Sequence, residues 1–317
     1  MNQKKTKVAV IGVGSLGQHH ARVYSEMDDV DLVAVVDASA ERAKEIASKF
    51  NCDHLTELSG LRGKIDAASV VVPTFAHHAV SKALLEQGVH LLLEKPMTTT
   101  LAEADDLIAI SKRTGAMLQV GHIEQFNTGV KMLKEHLVDP RFVECHRVSP
   151  FIGRGTDVDV ILDLMIHDID IILSLMPSKL SEIRAAGTSV MTSMIDIANV
   201  RLAFENGEVA NITASRVSLE KLRKIRIFQP DAYFSLDYAH QEMRVFRRIF
   251  QPDGTPKITT EKVSTEKEEP LKGELASFID SIRTDEIPTV SGEDGRKALD
   301  VALQIVDLIK HGQARAT

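Results

Sequence analysis

Residues 8–17 read VAVIGVGSLG, a short aliphatic run that ends abruptly in Gly12-Val13-Gly14-Ser15-Leu16-Gly17. A run of this length closed by glycines predicts a buried strand over residues 8–13. The G-x-G-x-x-G pattern then predicts a tight turn into a helix carried by residues 20–27. Glycines in that place let the backbone approach a pyrophosphate, which sits at the helix N-terminus. Residues 31–37, DLVAVVD, supply a second strand and complete a β-α-β unit, with Asp37 at its end, twenty residues beyond Gly17. A carboxylate there accepts hydrogen bonds from the adenosine ribose hydroxyls of a dinucleotide. The alternative is a glycine turn needed only for packing, with Asp37 a solvent-facing strand end. Asp37 repels a 2′-phosphate, and Ala38 and Ser39 follow it rather than Arg, with Arg42 a turn later. The pattern therefore favours NAD over NADP.

Outward from this unit, further strands are expected at 67–72, 89–93 and 117–120. They alternate with a helix capped by Ser39 and with helices at 76–87 and 101–114. Such alternation within about 120 residues generates a doubly wound parallel sheet through right-handed crossovers. Past residue 121 the rhythm changes to a helix at 127–137, a strand at 142–148 and an apolar helix at 163–175. Strands at 195–204 and 208–215 flank Asn206-Gly207, which predicts a tight hairpin with positive φ at both central positions. Strands around Ile225, Phe234 and Val245 and amphipathic helices at 274–283 and 295–310 complete the pattern, and the charged stretch 261–269 reads as a solvated loop. The expected architecture is α/β. It comprises a Rossmann domain over 1–121 and an α+β domain over 122–317 with a mostly antiparallel sheet, whose terminal helices can pack back on the first domain.

The chain has 317 residues, 44% of them apolar and 26% charged, enough for two domains with real cores and unlike a disordered chain. Its formal net charge of −7 comes with no basic stripe, which argues against nucleic acid as a partner. Aromatic residues are 4% and Trp is absent, so stacking platforms and membrane aromatic belts are poorly supplied. No run of about 18 apolar residues spans a bilayer, and the glycines of residues 12–17 interrupt any signal-like segment. Cys52 and Cys145 lie far apart and outside CxxC spacing, which suits a reducing compartment; the expected location is the cytoplasm. A small-molecule enzyme is the leading class.

A bound dinucleotide accepts hydride, so the protein must add a substrate pocket and a group to carry the hydroxyl proton. Asp163 and His167 stand four residues apart on an expected helix, where the carboxylate can orient an imidazole. The same spacing also fits a helix N-cap beside a partly buried histidine. Lys95 follows the 89–93 strand at its carboxyl end, the edge where open α/β sheets bind ligands. It reads equally as a solvated cation or as an ion pair with Glu94. His122, Glu124, Asn127 and Arg154 fall on loops at strand ends and are candidate substrate contacts, with Arg154 suited to a diphosphate or hydroxyl. His19 and His20 read as capping or covering the first helix. His167, Asp168 and Asp170 cannot share one helical face and no second His stands at matching spacing, so no metal is expected.

GVGSLGQHH (12–20), VVVPTFAHH (70–78), LLLEKP (91–96), Asp163-Leu164-Met165-Ile166-His167 and the pattern from Glu274 through Gly292 follow one another as in the Gfo/Idh/MocA oxidoreductases, which the chain resembles over nearly its whole length. The resemblance implies that Lys95, Asp163 and His167 form the catalytic group. It places Pro73, Thr74 and His77 near the cofactor, and Glu94 and Lys95 at the nicotinamide. It further implies an open-faced second sheet that builds a homodimer or homotetramer interface. VGHIEQFN (120–127) and TDVDVILDLMIHDIDI (156–171) are most similar to nucleotide-sugar members that oxidise the 3-hydroxyl of UDP-N-acetylglucosamine. Two departures stand out, Gln125 where Arg usually precedes Phe-Asn and Thr128 where Pro is usual. Free polyols, inositols and UDP-linked uronic acids remain alternative substrates, and a noncatalytic dinucleotide-and-sugar sensor is the alternative of another class.

Overall fold

The computed structural model describes residues 5–153, 158–264 and 267–314. The first 123 residues build β1 (Thr6–Ile11), α1 (Gly17–Glu26), β2 (Val30–Val36), α2 (Ala40–Phe50), β3 (Asp53–Leu55), β4 (Ala67–Val70), α3 (Thr74–Leu85), β5 (His90–Glu94), α4 (Leu101–Thr114) and β6 (Leu118–Gly121). All six strands are parallel, in the order β3-β2-β1-β4-β5-β6. This is the doubly wound sheet expected from the alternation. The chain runs from β1 outward to β3 and then returns to β4 on the other side of β1. Loops at the carboxyl ends of β1 and β4 therefore diverge and open a crevice. β1 and β4 are almost entirely buried, which is why they read as continuous apolar runs. β3 escaped the sequence reading because it is three residues long and mostly exposed.

The chain continues through α5 (Thr128–His136), β7 (Phe142–Val148), a π-helical turn (Ile161–Met165), α6 (Ile166–Leu175) and β8 (Leu180–Thr188). It then forms β9 (Ile197–Phe204), β10 (Val209–Ser215), β11 (Leu222–Gln229), β12 (Ala232–Asp237), β13 (Glu242–Phe250), β14 (Pro256–Ser264), α7 (Pro270–Thr284) and α8 (Gly292–Ala314). The second sheet has the order β14-β13-β12-β11-β7-β10-β9-β8 and is antiparallel except where β7 runs parallel to β10. Its two edge strands were not expected. The first four residues of the charged 261–269 segment belong to β14, a polar, Lys- and Glu-bearing strand paired only with β13. Such composition keeps an exposed sheet edge from recruiting further strands. The Asn206-Gly207 turn also differs in detail. Gly207 alone has positive φ, +89°, and Gly207 N–H donates to Phe204 O while Phe204 N–H donates to Glu208 O. This is a three-residue hairpin loop with a glycine bulge rather than the expected two-residue turn.

The chain divides into two compact units: residues 1–123 with 269–297, and residues 124–268 with 298–317. Residues 269–297 join the first unit because α7 buries Leu271, Leu275, Phe278 and Ile279 in the same core as Val8, Val10 and Tyr24. In the second unit, α5, α6 and the later part of α8 cover one face of the sheet, with Val143, Ile212, Ile227, Phe234 and Ile169 at the centre of the core. The opposite face leaves Phe142, Phe228, Tyr233 and Phe246 as a ladder of neighbouring rings, the Phe228 and Tyr233 centroids 4.7 Å apart.

Asp196 organises the approach to β9. Its Oδ2 accepts N–H bonds from Val190, Met191 and Thr192 at 2.8, 2.7 and 2.9 Å, and Oδ1 accepts the Thr192 hydroxyl. Burial alone would raise its pKa, but these donors outweigh burial and bring it down to about 2. The resulting stabilisation is present above the unfolded value near 3.8 and is lost as pH falls through about 2. Asp196→Asn should therefore cost about 2 kcal/mol at pH 7, with the difference from the parent vanishing in urea titrations near pH 2.

Candidate cofactor site and catalytic residues

At the carboxyl ends of β1, β2, β4 and β5 the first unit encloses a cavity of about 1030 Å³. That is at the upper end of the roughly 300 to 1,000 Å³ usual for small-molecule sites. Gly12, Gly14, Ser15 and Leu16 line it from the β1 turn, Asp37 from the end of β2, Pro73, Thr74 and His77 from the start of α3, and Glu94 and Lys95 from the end of β5. Gly17, the third glycine, does not line it. A Cβ at Gly17 would fall 1.9 Å from Gly12 O, so this residue lets α1 close onto the turn. Gly12, with φ +85°, admits no side chain either, since its Cβ would meet Val71 O at 2.7 Å. Gly14 is the converse case, because a Cβ there meets nothing within 4 Å.

The Asp37 carboxylate holds this turn in place. Its Oδ2 accepts Val13 N–H and its Oδ1 accepts Ser39 N–H, each at 2.9 Å. Arg42 braces the far side, donating Nε–H to Val13 O at 2.8 Å and pairing with Glu45, so its guanidinium is engaged within the turn and its own helix. These residues fit a dinucleotide: the open flank at Gly14 would admit a pyrophosphate, and Asp37 would be within reach of a ribose. Sequence reasoning missed the wall formed by Thr56, Glu57, Leu58 and Ser59, which follows the unrecognised β3.

His77 is buried with Nδ1 3.0 Å from Pro96 O and Nε2 2.9 Å from Val72 O, linking the loops after β5 and β4. Burial pushes its pKa below the ordinary value, against the raising effect of those carbonyls and of Glu94. The Lys95-Pro96 peptide is cis. His20 does not cap α1. It is fully buried, with Nε2 3.2 Å from Glu94 Oε1, a pairing invisible in a sequence that separates the two by 74 positions. His122 is likewise buried, directly after β6.

In the second unit Asp163 lies inside the π-helical turn and His167 in the first turn of α6, both half-buried. Asp163 is therefore not an N-cap, and the expected single α-helix over 163–175 begins instead with a wider turn in which Ile166 N–H donates to Ile161 O. Such turns recur at functional sites. Asp159 anchors the segment: its carbonyl accepts Leu162 and Asp163 N–H, and its carboxylate accepts Ile195 N–H and pairs with Lys310.

Directly after His167, Asp168 receives a two-pronged pair from buried Arg147, Nε at 2.8 Å and a terminal nitrogen at 2.9 Å, while the other arm of Arg147 reaches Glu124 at 2.9 Å. Burial opposes the Arg147 charge, but Asp168 and Glu124 outweigh it and raise the guanidinium pKa further. Asn127 donates to Glu124 and to Tyr238 O and accepts Gly129 N–H as the cap of α5. Glu124 and Asn127, expected as substrate contacts, are thus committed to this internal network. Gln125 is buried too, donating to Asp170 and Ser174 and accepting from Lys134, so it ties α5 to α6. Thr128 bonds Gln241. Arg154 lies outside the described residues. Among the described residues no group of three His, Cys, Asp or Glu side chains could hold a metal, and no helix is long and apolar enough to cross a membrane.

The cavity, the glycine turn and the sheet order define an NAD-binding Rossmann oxidoreductase, and residues 6–122 match the family model for oxidoreductases with an NAD-binding Rossmann fold. Residues 138–232 match the model of the Gfo/Idh/MocA C-terminal domain. The chain belongs to the Gfo/Idh/MocA family. It is 36% identical over 301 residues to UDP-N-acetylglucosamine 3-dehydrogenase of Acidithiobacillus ferrooxidans, covering 94% of this chain and 96% of that protein. A solved structure of that enzyme superposes with a TM-score of 0.92 at 35% identity, covering 98% and 99% of the two chains. Myo-inositol 2-dehydrogenase of Thermotoga maritima is 27% identical over 316 residues, 92% of this chain and 93% of that one.

Asp37→Ala should weaken NAD binding about tenfold or more and narrow the preference over NADP, as read by calorimetric titration with each cofactor. Arg147→Met should cost about 3 to 5 kcal/mol in urea unfolding, because it leaves the Asp168 and Glu124 carboxylates buried without their partner.

Proposed function

We propose that the chain oxidises a ring hydroxyl of a nucleotide sugar with NAD, and that the 3-hydroxyl of UDP-N-acetylglucosamine is the reacting group. The observation that carries this reading is the near full-length similarity to the A. ferrooxidans dehydrogenase acting on that substrate. NAD, held by the Gly12–Gly14 turn and Asp37, supplies the hydride acceptor. His167, oriented by Asp163, takes the hydroxyl proton as the carbon gives up hydride, and Lys95 offsets the negative charge developing on the oxygen. Arg147 fixes Asp168 and with it the start of α6, so His167 stands on a braced helix. The relatives acting on inositols favour a second reading, oxidation of a free cyclitol.

We assign assembly into a homo-oligomer to the open face of the second sheet, where the Phe142–Phe228–Tyr233–Phe246 ladder supplies apolar surface. Cys52 and Cys145 are both free, which supports a reducing, cytoplasmic setting.

Incubation with NAD and a panel of UDP-N-acetylglucosamine, its uronate and inositols should raise absorbance at the reduced-nicotinamide band for the first; a response confined to inositols selects the second reading. His167→Ala should lower kcat about a hundredfold to ten-thousandfold with NAD affinity unchanged, and near-normal turnover in that variant would remove His167 from the mechanism.

A further inference from the structure

Behind the cavity wall at β5 lies a set of buried polar groups that hydride transfer does not use. Glu94 lines the cavity, with Oε1 3.2 Å from His20 Nε2 and Oε2 accepting Lys95 N–H at 3.3 Å. α7 brings Glu274 into the same layer. Glu274 is fully buried, and neither of its carboxyl oxygens has a hydrogen-bond partner. His20 Nδ1 and Gln119 Oε1 are buried and equally unmet, and Gln119 Nε2 donates to Glu274 O at 3.4 Å, joining β6 to α7. One turn along α1 from His20, Tyr24 pairs with Ser69 at 2.9 Å. Five elements thus contribute to one polar seam inside an otherwise apolar core.

A carboxyl group without partners in such a place is stable only as the neutral acid. Burial raises the Glu274 pKa well above the usual range, and the charge on Glu94 raises it further. The groups facing Glu274 are Glu94 from β5 and Tyr24 from α1, with uncharged Gln119 from β6; His20, His77 and Lys95 adjoin Glu94. The charge that could relieve the repulsion between the two acids is a cation in the cavity beside Glu94. A dinucleotide with adenosine at Asp37 and pyrophosphate at Gly14 would bring its nicotinamide to the Thr74, Glu94 and Lys95 end. Its ring carries a positive charge when oxidised and none when reduced.

We propose that His20, Glu94 and Glu274 form a proton-linked sensor of the cofactor's redox state, holding one more proton when the bound nicotinamide is reduced than when it is oxidised. The cluster exchanges only a proton with solvent and takes no part in electron transfer. The inference rests on the dinucleotide reading of the cavity. Its sign is fixed: raising the pH removes the proton and favours the cationic ring, so the ratio Kd(NAD⁺)/Kd(NADH) falls as pH rises. For one coupled proton the limit is about tenfold per pH unit.

The test is calorimetric titration of NAD⁺ and NADH from pH 6 to 9, in pairs of buffers differing in ionisation enthalpy, with the parent protein and Glu274→Gln. NAD⁺ should release more protons than NADH, and the ratio should change at least about threefold per pH unit within the range. In Glu274→Gln, an uncharged near-isostere of the buried acid, the slope should be flat. That variant should also melt at a higher temperature than the parent by a margin that grows with pH, because it no longer has to take up a proton on folding. Equal proton release for the two cofactors, or a parental slope in Glu274→Gln, overturns the proposal. Should the variant not fold, the parent's proton release in the buffer pairs decides alone. Failure to bind either cofactor would instead overturn the cofactor assignment, a result distinct from binding without pH linkage.

Discussion

The hydrogen bond from Val13 N–H to the Asp37 carboxylate is the constraint on which the cofactor site depends. It joins the loops after β1 and β2 and sets the glycine turn across the mouth of the sheet. Gly12 and Gly17 have no room for side chains because the turn is folded so tightly against α1 and the Val71 backbone. Gly14 has room and leaves it open toward the cavity. One carboxylate thus supports the turn at one side of the cavity, and Arg42 closes the arrangement from outside. A side chain at Gly12 or Gly17 would have to displace backbone, not a flexible neighbour.

The second unit solves a different problem, holding an imidazole-bearing helix in a fixed orientation. It does so with buried charge. Arg147 spans Asp168 and Glu124, and its guanidinium lies over the Tyr238 ring. Buried ion pairs add little net stability compared with apolar packing of the same volume, but they penalise any arrangement that breaks them. Gln125 adds a second tie between α5 and α6, which gives a physical reason for the residue that departs from the usual family pattern.

The parallel sheet was legible because its strands are buried on both faces and its helices carry explicit stops. α4 spans the expected 101–114, since Thr100 and Glu103 form a capping box and Gly115 ends it in the left-handed conformation. What escaped was polar or long-range. β3, β8 and β14 are edge strands, short or rich in polar residues, so they lack the apolar run that marks an interior strand. The π-helical turn before α6 has no local signature, and the anchors of Asp159 are Ile195 and Lys310, far along the chain. Among site residues, the glycine turn, Asp37 and Lys95 could be read from strand ends, and Pro73, Thr74, His77 and Glu94 only from the family resemblance; all of them line the cavity apart from Gly17. His20 and Glu274 could not be read in either way, because each acquires its meaning only from Glu94, brought beside it by the tertiary fold.

The most direct test of the dehydrogenase reading follows the transferred atom. UDP-N-acetylglucosamine carrying deuterium on C3 should yield reduced nicotinamide with deuterium at ring position 4 and a 3-keto sugar in equal amount, seen by NMR and mass spectrometry. Reduced cofactor without the label, or no reduced cofactor beside intact labelled sugar, would contradict it.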